Sequence, residues 1–345
     1  MKKCLICNVN DANQTGSHIV PHFLSKRVDN QEGEKGRDKE LGFVVDINDS
    51  RMYFGRGILP EKLEEVYGEV DDELLAQNNI DGIVDNIFCD KCEKKLGVIE
   101  SAYSKSLNTI APAGVTYESN KEVATGFLFW VSVIWRLSLM QGNNFILKDK
   151  ERKKLSRILK RYLDVDINKI ELDANDADLA DIGYKILRAP DFSERLPTVQ
   201  YSHPFHGRPY TIMVDEYIIF FYFKKSYLKG MPVNFFGSLP LQHGSYFNTP
   251  FNEEKILSVS DDEYKSIINN MMKFFAEKKM EKLNKNMNLI HQKMFPNQGK
   301  EMDPRLKSII LKKISDNEIK VGKRNRENDF RIIQEAIVEY YDIKE

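Results

Sequence analysis

Four cysteines in 345 residues fall into two pairs of identical spacing, Cys4 with Cys7 and Cys89 with Cys92. Thiolates two residues apart match the bite of a tetrahedral zinc ion. The Met-Lys-Lys start carries neither the apolar core nor the cleavage site of a signal peptide, so the chain reads as cytoplasmic. In a reducing compartment paired thiols serve a metal rather than a disulfide. Eighty-one residues separate Cys7 from Cys89, so an insertion lies between the two knuckles. One zinc ion would bring Ser17-His18-Ile19 next to a helix starting at the second pair. On that helix Glu93 directly follows Cys92 and Glu100 comes seven residues later, about two turns on, so both carboxylates project from one face. Carboxylate oxygens suit a hard divalent cation such as magnesium or manganese, and the His18 imidazole suits removal of a proton from water. One histidine and two carboxylates on a zinc-built frame form a hydrolytic arrangement. Plainer readings stand beside it: His18 as a hydrogen-bonded core histidine, His22 as a surface or phosphate-contacting group, and Glu100 as a salt-bridging residue on a solvated helix face.

The elements that must position these groups follow from patterning. Ser17 to Leu24 reads as a strand leading into a helix, and the charged, glycine-rich stretch from Asp29 to Gly42 as a loop. Helices are predicted from Pro60 to Ala76, from Asp90 to Thr109, from Glu122 to Met140 and from Lys150 to Leu163. On the last, Leu155, Ile158, Leu159 and Tyr162 share a face. The acidic segment Glu171 to Asp181 is predicted to be helical. β-Branched and aromatic runs at Tyr210 to Val214 and Tyr217 to Phe223 predict a hairpin turning at Asp215-Glu216. Ser260 with Glu263 forms a capping box for a helix carrying Met271, Phe274, Phe275 and Met280. The apolar run Phe127 to Met140 is about fourteen residues long, short of the ~20 a membrane span needs, and reads as a buried helix with Arg136 paired to a carboxylate. His203 and His206 read as loop residues.

Cys4-x-x-Cys7, Ser17-His18-Ile19-Val20-Pro21 and Asn86-Ile87-Phe88-Cys89-x-x-Cys92-Glu93 together resemble the His-Asn-His (HNH) endonucleases. The resemblance covers roughly residues 1–115, with a weak extension through Phe129-Trp130-x-Ser132-x-x-Trp135-Arg136. It is closest to bacterial variants with a Ser-His-Ile element and a glutamate after the last cysteine, several of which are tied to phage defence. It implies a ββα-metal site on a zinc-bound treble clef, with His18 as general base, Glu93 in the place of the family's last metal-binding histidine, and magnesium or manganese as catalytic ion. Ser17 stands where the family has a metal-binding aspartate, which leaves Glu93 and Glu100 to supply that charge. The family asparagine aligns with Val84, so Asn86 is an approximate substitute and Asp85 competes with it.

The expected class is α+β: a small zinc-bound ββα-metal (treble clef) domain at 1–115, interrupted by an insertion at about 29–82, then a mostly helical region at 116–345 with a small antiparallel sheet at about 198–241. Hydrophobic residues make up 41% and charged residues 30%, with a mean hydropathy of −0.47, as in ordinary globular proteins. The net charge of −1 excludes a uniformly cationic binder. It conceals a gradient: residues 1–110 hold 14 basic and 20 acidic residues, whereas 264–345 hold 18 basic and 12 acidic. An acidic catalytic end repels phosphates, so any grip on nucleic acid must come from Lys148 to Arg161 or from the C-terminal region, with Lys312, Lys313, Lys323, Arg324, Arg326 and Arg331. The expected partners are nucleic acid, foremost DNA, and a protein partner or second copy engaged through the C-terminal region, with no membrane. The alternative is a non-catalytic zinc-knuckle module that binds nucleic acid or protein and carries a degenerate site.

Overall fold

The computed structural model describes residues 2–21, 23–24, 41–45, 50–54, 64, 83–120, 122–139, 145–190, 201–202, 209–230, 244–296, 301–321 and 326–342. Apart from Glu64, the predicted helix from Pro60 to Ala76 lies outside the described residues, as do the side chains of Met271, Phe274 and Phe275 and residues His22, His203 and His206.

The chain is a mixed α/β protein that divides into two compact units. The first comprises residues 1–40 and 55–267, the second 41–54 and 268–345. In the first unit, strand β1 (Ser17–His18) pairs antiparallel with a strand arriving from beyond the insertion. The hairpin of β2 (Leu41–Val45) and β3 (Ser50–Phe54) belongs to the second unit, and β2 starts inside the stretch expected to be loop. The partner of β1 is β4 (Ile83–Val84), with Ser17 opposite Val84 and His18 opposite Ile83.

Helix α1 (Asp90–Tyr103) follows at once, with acidic Asp90 and Glu93 in its first turn, where they oppose the positive end of the helix dipole. Its buried positions, Cys92, Leu96, Ile99 and Tyr103, recur at helical spacing. A 3-10 turn at Ser104–Asn108 ends it. Strand β5 (Thr116–Asn120) leads into α2 (Val123–Leu137), buried throughout from Thr125 to Leu137. Apolar residues all round make it the helix on which the unit is built. Phe129 stacks on Tyr103 at 3.9 Å between ring centroids, and Trp135 packs on Phe88 of the second cysteine knuckle at 6.0 Å. Each fully buried aromatic or aliphatic side chain of this kind stabilises the fold by about 1.5–3 kcal/mol. Helix α3 (Asp149–Tyr162) buries Leu155, Ile158, Leu159 and Tyr162, the face read from its periodicity.

The segment after α3 corrects one expectation: residues 174–181 form turns, not a helix. The carboxylates of Asp173 and Asp176 accept from the backbone N–H of Asn175 and Asp178, two residues on, and Asp181 takes a left-handed φ of 62°. Such local bonds compete with helical ones and here they prevail.

The sheet corrects another. β6 (Gly183–Arg188), β7 (Tyr201–Ser202), β8 (Tyr210–Val214), β9 (Tyr217–Tyr222) and β10 (Glu254–Ser258) join β5 in the order β5-β10-β6-β9-β8-β7. The β10/β6 pairing is parallel, so the sheet is mixed rather than antiparallel, and three of its strands lie outside 198–241. Those strands carry Glu118, Lys185, Arg188, Glu254 and Lys255, which mask the alternation that marks a half-buried strand. The predicted hairpin is present, with Asp215 at its turn in a left-handed φ of 46°.

One buried core runs from Cys4 to Ile256, so the boundary expected near residue 115 lies inside the first unit. Arg188 helps to join its parts: it pairs with Glu216 at 2.6 Å and donates to the carbonyls of Leu107 and Thr109 after α1. The boundary between units falls within α4 (Asp261–Met294), whose start is capped by Ser260 Oγ accepting from Glu263 N at 3.2 Å. In the second unit, residues of α4 from Leu283 onward, α5 (Pro304–Val321) and α6 (Arg326–Asp342) share a core that includes Met287, Leu306, Ile310, Ile333 and Ile337.

Candidate metal centre and the acidic face beside it

The two knuckles reach one place because the backbone is turned at each. Asn8, after Cys7, and Asn86, before Cys89, both take a left-handed φ of 56°, which asparagine tolerates better than most residues. Leu5 N donates to the Ile87 carbonyl at 3.0 Å, and Asn13 N and Gln14 N donate to the carbonyl of Phe88, so main-chain bonds hold one knuckle against the other. The Sγ atoms of Cys4, Cys7, Cys89 and Cys92 lie within 4.8 Å of one another, and those of Cys7 and Cys89 are 3.9 Å apart. A tetrahedron with Zn–S bonds of ~2.3 Å has an edge of about 3.8 Å, so four thiolates here fit a structural zinc ion. Val9 N donates to Cys7 Sγ and Asn10 Nδ2 to Cys89 Sγ, each at 3.5 Å.

These donors set the thiol acidities. Burial pushes Cys7 up, but the N–H groups of Asn10 and Val9 outweigh it and bring the thiol to about 6. Cys89 is likewise lowered, against burial, by the Asn10 amide and the Cys92 N–H. Burial raises Cys4 and Cys92. Thiols bind a metal as thiolates, so loading such a cluster releases protons.

Next to this cluster, β1, β4 and α1 form a small ββα arrangement. Asp85 Oδ1 accepts from Gly16 N at 2.6 Å and so pins the entry to β1. Ser17 is buried and donates its hydroxyl to Glu93 Oε2 at 3.1 Å. Burial raises the pKa of Glu93, opposed by the Ser17 bond and the Arg136 charge and reinforced by Glu100. The two carboxylates therefore share a face, as their spacing requires. Glu100 is paired with Arg136 at 2.7 Å. His18 is half-buried on β1, and its carbonyl accepts from Arg136 Nη1 at 2.8 Å. Asn86 is exposed, and its backbone N–H donates to the Gln14 carbonyl at 2.6 Å. Its visible work is conformational. Val84 lies on β4 opposite Ser17.

Among the described residues, the four cysteines are the group whose ligand atoms gather within reach of one ion. His18, Glu93 and Glu100 do not close into a second cage. A magnesium-like ion tolerates that, since it keeps several waters and uses one or two carboxylates together with substrate phosphate. Each carboxylate has one oxygen engaged, Glu93 Oε2 by the Ser17 hydroxyl and Glu100 Oε1 by the Arg136 guanidinium.

Sequence reasoning missed the Ser17–Glu93 and Arg136–His18 links. A charged side chain inside an apolar helix signalled a partner for Arg136, but nothing in the spacing pointed to β1. Part of the basic run on α3 is matched by its neighbours: Arg157 makes two bonds to Asp178, at 2.8 and 2.6 Å, Arg161 pairs with Asp176, and Lys154 donates to the Ala180 carbonyl. In the C-terminal region Lys313 pairs with Glu339 and Arg331 with Glu335, while Lys323 and Arg324 lie outside the described residues. No described helix is long and apolar enough to cross a membrane. No family model matches the chain, and no curated protein or solved structure matches it.

Proposed function

We propose that the chain is a metal-dependent endonuclease of the HNH type, hydrolysing phosphodiester bonds of DNA in bacterial anti-phage defence. The supporting observation is the ββα arrangement of β1, β4 and α1 against the four-thiol cluster, with His18 on the strand, Glu93 on the helix and Ser17 bonded between them. In this reading Cys4, Cys7, Cys89 and Cys92 hold structural zinc in a treble clef, and Glu93 holds magnesium or manganese with the help of substrate phosphate. The bound divalent ion supplies charge stabilisation to the phosphate and the departing oxygen. Neutral His18 takes a proton from the attacking water as its oxygen bonds to phosphorus and the bond to the leaving oxygen breaks. The C-terminal region supplies grip on DNA, contact with a protein partner, or self-association.

The test is incubation of zinc-loaded full-length protein with magnesium or manganese and DNA or RNA substrates. Cleavage by the wild type that His18→Ala abolishes is expected. Absence of cleavage, or equal cleavage by both proteins, overturns the reading. A second reading, a non-catalytic zinc-knuckle module, is favoured by the internal partners of both carboxylates, Ser17 for Glu93 and Arg136 for Glu100. It requires that manganese leave the electron paramagnetic resonance of the free ion unchanged when protein is added.

A further inference from the structure

Arg136 is a buried guanidinium, 2% exposed, in a buried helix that carries no other charge. Burying so strongly hydrated a group is unfavourable unless its donors are used, and here they are. Nη1 donates to the His18 carbonyl at 2.8 Å, Nη2 meets Glu100 Oε1 at 2.7 Å and Ser132 Oγ at 3.2 Å, and Nε reaches the Ser132 carbonyl at 3.3 Å. One rigid fork thus joins α2, α1 and β1.

We propose that Arg136 is the positioning residue of this site: it locks the His18 main chain to the Glu100 carboxylate, which sets the base against the helix and leaves Glu93 as the carboxylate that meets the divalent ion. The proposal rests on the nuclease reading and reassigns Glu100 within it, from metal ligand to counter-ion. The planar guanidinium matters because a lysine has one nitrogen and cannot serve a carbonyl and a carboxylate in the same fixed geometry. A base displaced by a fraction of an ångström loses turnover while substrate binding elsewhere is retained.

The test uses zinc-loaded full-length protein and the variants Glu93→Gln, Glu100→Gln, Arg136→Lys and Ser132→Ala, with zinc content and circular dichroism as checks of folding. Manganese binding is read by electron paramagnetic resonance, and kcat and KM are measured on duplex DNA with magnesium. Glu93→Gln is expected to weaken manganese binding roughly ten-fold or more, while Glu100→Gln stays within about two-fold of wild type. Arg136→Lys is expected to lower kcat about ten-fold with KM for DNA and manganese affinity held within about two-fold. Loss of manganese binding in Glu100→Gln as deep as in Glu93→Gln overturns the proposal, as does wild-type kcat in Arg136→Lys. If Arg136→Lys loses its zinc, Ser132→Ala decides: about a three-fold fall in kcat at constant KM supports positioning, and an unchanged kcat overturns it. A wild type that cleaves alongside an unaffected Arg136→Lys sinks this proposal and spares the nuclease reading; a wild type that cleaves nothing sinks both.

Discussion

Ser17 donates its hydroxyl to Glu93 Oε2 at 3.1 Å, a bond that spans 76 positions of sequence and ties β1 to the first turn of α1. The residue one place before His18 therefore touches the residue one place after the last cysteine. Ser17 is buried, so Ser17→Ala removes a donor that partly offsets the burial of the Glu93 carboxylate. The expected cost is about 1 kcal/mol, or about 2–4 °C in Tm for a unit of this size, measured by thermal unfolding at neutral pH. An unchanged Tm would show that the bond contributes nothing to the first unit.

The cysteine cluster makes a stronger demand. Cys89→Ser removes one of four thiolates from a cluster whose two halves are far apart in the chain, and structural zinc contributes folding free energy directly. Loss of zinc by elemental analysis, with wide loss of amide protection in residues 2–21 and 83–103, is expected. Stoichiometric zinc in a folded Cys89→Ser protein contradicts a four-thiolate site.

How far these relationships were legible differs from element to element. Equal Cys-x-x-Cys spacing was enough to bring Cys4, Cys7, Cys89 and Cys92 together, because the ligand geometry of a metal leaves few alternatives. The seven-residue step from Glu93 to Glu100 placed both on one face, because helical period is a local property. Nothing local could reveal that Arg136, 118 positions from His18, reaches its carbonyl. The strands β5, β6 and β10 escaped for a related reason. Glu254 and Arg188 are buried polar residues whose partners come from elsewhere in the fold, so a pattern that assigns charge to the surface places them wrongly.

Glu254 carries a pH prediction. Its carboxylate is fully buried and accepts from Tyr103 OH at 2.9 Å, Ser119 Oγ at 2.5 Å and Tyr184 OH at 2.7 Å. Burial raises its pKa above the ordinary carboxylate value, and the three hydroxyl bonds only partly restore it. A carboxyl that is harder to ionise when folded binds more protons in the native state, so its contribution to stability falls as pH rises above the unfolded value of ~4.3. The difference in Tm between wild type and Glu254→Gln should therefore move in favour of the variant from pH 4.5 to 7. Glu254→Ala behaves differently, since it strands three buried hydroxyls at about 1–3 kcal/mol each and destabilises at every pH. A Tm difference between wild type and Glu254→Gln that is flat with pH would refute the linkage.

Gly183 starts β6 where Asn248 and Phe247 approach closely. A Cβ built there would sit 2.4 Å from the Asn248 carbonyl oxygen and 2.6 Å from the Phe247 ring. The backbone contact cannot yield cheaply, because Tyr184 and Asn248 exchange main-chain bonds at 2.9 and 2.8 Å. Gly183→Ala is expected to destabilise the first unit by about 1–3 kcal/mol, seen as a lower urea midpoint with unchanged slope. A midpoint equal to that of wild type would mean that the Asn248 segment moves aside freely.

His291 makes the second unit acid-sensitive. Its ring is 1% exposed, its Nε2 lies 2.8 Å from Tyr341 OH, and Phe295 packs beside it. Burial, aided by the charge of Lys307, lowers its pKa below the ordinary histidine value. A histidine kept neutral by the fold stabilises it above the unfolded value of ~6.5, and that contribution is lost as pH falls through this value toward the lower native one. Hydrogen exchange of residues 283–294 should accelerate, after correction for intrinsic rates, between pH 7 and 5. His291→Phe loses the Tyr341 bond, at about 1 kcal/mol, but has nothing to protonate, so its protection in the same segment should be independent of pH over that range. Equal pH dependence in the two proteins would assign the acid sensitivity to another group.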